Sequence, residues 1–415
     1  MKSRTWLRFA LSTAMASCLV AGGLIAGCGG DDSTTSTPDA STDSDNGTDA
    51  NTDDTGTTDT GTTDAPVEAG PPNAKLIVVH AGPNIPAFRV CFGVGPGGGV
   101  VANAFAALPD QAAAGQPWPG IFPGTGGVFP DVGLDLSPLA LTPYAILAAN
   151  IKDDTKTSGP DGGTKERACD KLIGGDGKGG ALKPGVDYFQ LPSLPAGTFA
   201  KGKTLLIGIT GCLPGATGST EKCGTDFTAT TGNVALKILT LDKTSPGANA
   251  IGVQIAHLSS PLENGAYGAG GGIYPYVANA SDAGGGGDGG GDGGGDGGGG
   301  GLVKTWVGGP YKFGSVNPAP AQAVTGVVPA TSKFGFSTTA QGTPFPGAAG
   351  LLQIQAFTIG TPTPADYFKN GGTYTFVVVG DPAEPPFLDD AGTQFNTKTL
   401  HALGFPNDPV VPVLQ

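Results

Sequence analysis

Residues 197–204, GTFAKGKT, satisfy every fixed position of the phosphate-binding pattern G-x-x-x-x-G-K-[ST]. In a working phosphate loop a strand leads in and a helix leads out, so that the helix N-terminus and the loop amides face the phosphates. Here PSLPA (192–196) leads in, and its prolines oppose a central strand. LLIGITG (205–211) leads out, rich in β-branched residues and glycine. The expectation is a turn entering a strand, with no nucleotide bound. GVGPGG (93–98) matches G-x-G-x-x-G, but Pro96 lies inside it and no parallel β-α-β unit follows. His80 and His257 each close an apolar run, KLIVVH and GVQIAH. Side chains alternate along a strand, so each histidine shares a face with Leu76/Val78 or Val253/Ile255. That face reads as core, and a structural histidine bonding the following turn is favoured over a catalytic one. No G-x-S-x-G elbow and no H-E-x-x-H occurs. A hydrolase built from distant residues stays as the alternative to a non-enzymatic chain.

The chain holds six cysteines. Cys18 falls in an apolar leader and Cys28 at its end, which leaves Cys91, Cys169, Cys212 and Cys223. An even number in an exported chain reads as two disulfides, with three connectivities open. Cys212–Cys223, closing CLPGATGSTEKC, is favoured, and Cys91–Cys169 follows by elimination. A zinc site is disfavoured: no pair is spaced C-x-x-C and the chain has three histidines. DANTDDTG (49–56) begins like a calcium loop, then places Asp54 where the turn needs glycine. No cofactor and no metal is expected.

The N-terminus reads as an export signal. Lys2, Arg4 and Arg8 precede a stretch, Phe9 to Gly27, without charge. It ends LIAGC (24–28), which resembles a bacterial lipobox. The resemblance implies removal of residues 1–27 and lipid on Cys28. Several acyl chains hold a protein on a membrane stably, where one does not. An uncleaved anchor is the competing reading, weakened by Gly22, Gly23 and Gly27 in the run. Gly29, where an inner-membrane retention signal would have Asp, favours the outer membrane or cell surface.

Residues 28–72 read as the lipidated cysteine and a disordered stalk. Positions 29–72 carry 11 acidic residues and no Lys or Arg, without apolar periodicity. The chain's formal charge is −13, and losing the leader's three cations leaves −16. The stalk accounts for 11 of these charges, and Asp282, Asp288, Asp292 and Asp296 in or beside a glycine run for four more. The folded part is then nearly neutral and has no basic stripe, which argues against nucleic acid.

Two segments open alike, KLIVVHAGP and GVQIAHLSSP, and two later ones match as well, GKTLLIGITG (202–211) and GGTYTFVVVG (371–380). DYF precedes both of the later pair. The spacing implies two copies of one domain, at 73–245 and 246–415. Strands are expected at 76–80, 88–92, 204–210, 234–241, 351–359 and 374–379, with 100–108 as a short helix and 93–99 and 152–180 as loops. The tract 283–301 reads as a flexible insertion at an exposed hairpin end of the second copy. The fold class is all-β, two tandem sandwiches.

VVHAGPNIPAFRVCF and IAHLSSPLENGAY resemble the opening of a bacterial extracellular domain family of unknown function, whose first strand ends V-H-A-S-P-x-A-P. GGTYTFVVVG is similar to a later strand of that family. The resemblance implies an immunoglobulin-like sandwich. It rests on His80, Pro83 and Pro86 in the first copy, with Gly82 in place of Ser, and on His257, Ser259 and a displaced Pro261 in the second, which lacks the second proline. It transfers no catalytic residue. The expected protein is lipid-anchored in the envelope and binds or displays something, an envelope glycan or a protein partner, with a pure spacer as a further alternative.

Overall fold

A computed structural model describes residues 72–95, 107–108, 120–129, 131, 135–151, 154–158, 164–165, 169–174, 182–215, 219–263, 272–280, 302–328, 331–340, 342, 349–350, 368–384 and 398–409. The leader, Cys28, the stalk, the glycine tract and the expected strand 351–359 lie outside them. Residues 68–415 form one compact unit.

The first copy contributes β1 (Lys75–His80), β2 (Phe88–Val94), β3 (Thr125–Val128), β4 (Leu141–Leu147), β5 (Asp154–Ser158), β6 (Thr164–Lys165), α1 (Cys169–Gly174), β7 (Tyr188–Gln190), β8 (Thr204–Thr210), α2 (Thr220–Cys223) and β9 (Ala235–Thr240). The second contributes β10 (Ala250–His257), α3 (Ser260–Glu263), β11 (Tyr274–Ala280), β12 (Leu302–Trp306), β13 (Val316–Thr325), β14 (Lys333–Ser337), β15 (Ala349–Gly350), β16 (Thr373–Val379) and β17 (His401–Pro406). The fold is all-β.

The repeat is written into the topology. One sheet runs β3-β1-β8-β9 and its counterpart β13-β10-β16-β17. In both, the opening strand lies parallel to the late one, β1 to β8 and β10 to β16, and the remaining pairs are antiparallel. Register places His80 beside Ile209 and His257 beside Val378. Each of these inner sheets faces an outer one, β2-β4-β7 in the first copy and β12-β11-β14-β15 in the second.

Alternation divides each inner strand between two cores. Leu76, Val78, Leu205, Ile207 and Ile209 pack on Phe88, Val90, Leu141 and Ala145 of the first outer sheet. Ile251, Val253, Ile255, Phe376 and Val378 pack on Val277, Phe334 and Phe336 of the second. The opposite faces meet each other: Ile77, Val79, Val128 and Leu206 share a core with Ala256, Leu258, Val377, Val379, Leu403 and Phe405. The sheets therefore stack outer, inner, inner, outer. A Cβ added at Gly208 of β8 would come within 2.5 Å of Leu258, so glycine lets the inner sheets close.

One end of this junction is polar. Asn407 donates to Gln254 Oε1 (2.8 Å) and to the carbonyl of Asp242 (2.7 Å) in the connecting segment. The β10–β13 register shifts between Val253 and Ile255. There the Gln254 amide donates to Pro318 O at 2.9 Å, and Asp242 accepts from the Ala321 amide. Side chains thus satisfy backbone groups that the interrupted ladder leaves open. Lys75 pairs with Asp408 (2.8 Å), and Lys222 with Glu384 (3.1 Å) and the buried Asp381 (3.6 Å), across the copies.

Two expectations need correction. The segment 152–180 is more than loop: β5 and β6 pair within it, and α1 carries Cys169. A buried hydrophobic face of α1 against the first outer sheet supplies the reason. Leu108, read as the end of a helix, is extended and bridges Val90, because pairing with β2 outweighs weak local propensity; 100–106 lie outside the described residues. The glycine tract is bounded by Ala280 and Leu302, which are antiparallel partners, so it leaves and re-enters at a hairpin end.

Candidate functional site

His80 is fully buried, with Nε2 at 2.9 Å from Ile85 O and 3.3 Å from Pro86 O, while Nδ1 accepts the Gly82 amide at 3.3 Å. This is the neutral tautomer with hydrogen on Nε2. Burial lowers its pKa from 6.5 to about 4. His257 is equally buried and its Nδ1 accepts the Ser259 amide at 3.3 Å. Both rings hold the corner that follows their strand, and neither reaches solvent as an acid or base. Pro83 sits half-buried in that turn, and Pro261 is buried in α3.

The corner has a second lock. Ser259 donates its hydroxyl to Gly380 O at 2.6 Å. In the first copy Gly82 takes the serine's place, and a Cβ there would lie 2.9 Å from Gly211 O. Gly211 and Gly380 end equivalent strands with φ of 80° and 91°. A Cβ on either would run into a backbone carbonyl, that of Asn233 or of Thr399. Gly380→Ala should therefore cost about 2–4 kcal/mol, combining left-handed strain with overpacking. Gly197→Ala, at φ 86° in open space, should cost only the strain. Urea unfolding of both variants checks the difference.

The remaining motifs resolve plainly. Gly202 and Lys203 complete a turn, the Lys203 carbonyl accepts the Lys75 amide, and strand β8 begins at Thr204 where a phosphate loop needs a helix. Gly93 and Val94 end β2, and 96–98 lie outside the described residues. Cys91 is bonded to Cys169 and Cys212 to Cys223. Among the described residues no group of three or more His, Cys, Asp or Glu could hold a metal ion, and no helix is long and apolar enough to cross a membrane.

The copies differ most on their outer faces. Equivalent bridges, Phe88 to Ile121 and Ile273 to Tyr311, align β2 with β11. Cys91 then corresponds to Tyr276 and its partner Tyr144 to Gly335. Ala107, one residue before the bridging Leu108, corresponds to Trp306, since Val307 bonds Pro275 as Leu108 bonds Val90. In the first copy this face is closed: Cys91, Ala107, Tyr144, Ile146 and Tyr188 are buried with Cys169 and Leu172 of α1, stapled down by the disulfide.

In the second copy the same positions build an aromatic and cationic grid. Register gives one row of Lys304, Ala278 and Lys333, and a next row of Trp306, Tyr276 and Gly335. Tyr274 and Ser337 form the third. Tyr276 is buried, 5.0 Å from the Trp306 ring, and the Lys304 ammonium lies 5.2 Å over it. Gly335 is needed beneath, because a Cβ there would strike the Tyr276 hydroxyl. That hydroxyl is buried without a hydrogen-bond partner, and burial raises its pKa. Trp306 and Tyr274 are half-buried, and both lysines are exposed. Reasoning along the sequence missed this grid; its one local signal is Tyr-x-Tyr in β11 and Lys-x-Trp in β12.

Comparison with models of known protein families gives no match, and comparison with curated proteins gives none either.

Proposed function

We propose that this chain is a non-enzymatic, lipid-anchored envelope protein, held on the outer membrane or cell surface by Cys28. In this reading it carries two sandwiches of the V-H-A-S-P-x-A-P-type extracellular family on an acidic stalk, and binds an envelope glycan or protein. The observation that carries the reading is the complete burial of His80 and His257. The motif shared by the copies is engaged in building corners, and the shared framework then serves to position surfaces. The divergence of the outer faces supports a binding role for one of them, because a pure spacer has no use for a lysine-flanked aromatic face on one copy alone.

Two measurements test this. Intact mass of the full chain, purified from membranes, should show loss of residues 1–27 and a diacylglycerol-modified Cys28 as first residue; a chain retaining its leader overturns the anchor. Full-length protein should also retain a fraction of the producing organism's envelope polysaccharide or membrane protein saturably, above a stalk-only control. Retention no greater than that of the stalk overturns the binding role.

A further inference from the structure

Resting on the binding role proposed above, we infer that the outer face of the β12-β11-β14-β15 sheet takes an acidic polysaccharide. A sugar ring stacks on the Trp306 indole beside Tyr274, and Lys304 and Lys333 engage the polymer's anionic groups.

The chain as a whole is acidic, at −13, yet the grid holds Lys304 and Lys333 and no Asp or Glu among its described residues. The two lysines flank Ala278 on neighbouring strands, so their backbones lie about 10 Å apart, twice the strand spacing. Ala278 between them is itself buried, as are Tyr276 and Ser337, so the two exposed ammoniums and the half-buried Trp306 and Tyr274 are what this face offers to solvent. The aromatic row follows about 7 Å further along, two residues on. That order of charges, then a stacking ring, suits an extended chain carrying repeated carboxylate or sulfate groups on flat, C–H-rich rings. A nucleic acid would require more cations, for the folded part has no basic stripe.

The second support is the Tyr276 hydroxyl. A buried polar group without a partner is costly, and the oxygen-rich surface of a sugar is a ready partner. Its present cover includes the Lys304 side chain, which is long and otherwise exposed. Moving that ammonium onto an anionic group uncovers the ring and places a ligand oxygen near the hydroxyl. The third support is the comparison between copies. The first copy closes the equivalent face with α1 and a disulfide, and the second has Tyr276 where the stapling cysteine would be.

The test uses the full-length chain in detergent and affinity electrophoresis through gels containing polygalacturonate, alginate or dextran. The wild-type chain should be retarded by the acidic polymers and not by dextran, and added salt should weaken the retardation. Trp306→Ala should weaken binding about tenfold or more, as expected for loss of a central aromatic anchor, and Trp306→Phe should restore much of it. Lys304→Ala with Lys333→Ala should weaken binding comparably and flatten the salt dependence. Cooperative unfolding of each variant guards against simple misfolding. Equal retardation by dextran, or acidic-polymer binding indifferent to both sets of substitutions, overturns the inference. So does saturable retention of the organism's own envelope fraction by Trp306→Ala at the wild-type level; that result leaves the binding role standing and removes this face from it. No retention of any polymer or envelope fraction removes both.

Discussion

Phe405→Ala should destabilise residues 68–415 as a whole, by about 3–5 kcal/mol, with one calorimetric transition before and after the change. Phe405 is fully buried where the inner sheets meet. It belongs to β17 of the second copy, yet its neighbours include residues of the first; a Cβ on Gly126 of β3 would lie 3.0 Å from its ring. Ordinary domain contacts are smaller and more polar than cores. This one is a core, since every described residue of β8, β10 and β16 is buried on whichever face it points to. Pulling the copies apart would expose Ile77, Val79, Leu206 and Leu258 together with Val377, Val379 and Leu403. Neither copy can present that surface to water and stay folded alone. Differential scanning calorimetry decides the matter. Two transitions in the wild type, with only the upper or the lower moved by Phe405→Ala, would show that the copies fold independently and would refute the shared core.

Much of this was legible in the chain, and the illegible part has physical reasons. The strands 76–80, 204–210 and 374–379 stood out because they run apolar without alternation, and the two-faced burial explains why: a strand covered on both sides has no polar face to interrupt it. The same runs carried the fact that the copies pack together, although a sandwich core alone was their simpler explanation. Val316–Thr325 was hidden by Pro318 and Pro320, which a sheet tolerates here because β13 is an edge strand. The orientation of His80 toward the core followed from counting by two, but its partners Ile85 and Pro86 depend on the turn's path. The grid was least legible. Trp306 and Gly335 meet through β11, across separations that no local pattern encodes, and Tyr276 is recognisable as the counterpart of Cys91 only once the bridges are known.

The second large effect concerns acid. His80 is neutral in the fold, with a pKa lowered to about 4 by burial, and returns to 6.5 when the chain unfolds. Above 6.5 neither state binds the proton, and the fold keeps its full stability. As pH falls below 6.5 the unfolded chain takes up a proton that the folded chain refuses, so stability drops until the folded pKa is reached. The gap corresponds to about 3 kcal/mol lost between pH 6.5 and 4. His401, lowered in the same direction by its burial and lodged against the first copy's Gly124 carbonyl at 2.8 Å, adds to the loss. Asp242 and Asp408 are held below the ordinary carboxylate range, and their contribution is lost only at lower pH. The window from 6.5 to about 4.5 is therefore set mainly by His80 and His401, while Glu263, whose pKa burial raises, takes up its proton first in the fold and offsets part of the loss at the lower end. Urea midpoints measured in half-unit steps should fall steadily across that window. His80→Gln should start lower at pH 7.5, having lost the ring that links Gly82 to the Ile85 carbonyl, and should descend less steeply. A wild-type midpoint that stays level from pH 7 to 5 would mean that the ring protonates in place, and that the corner it holds is open to water.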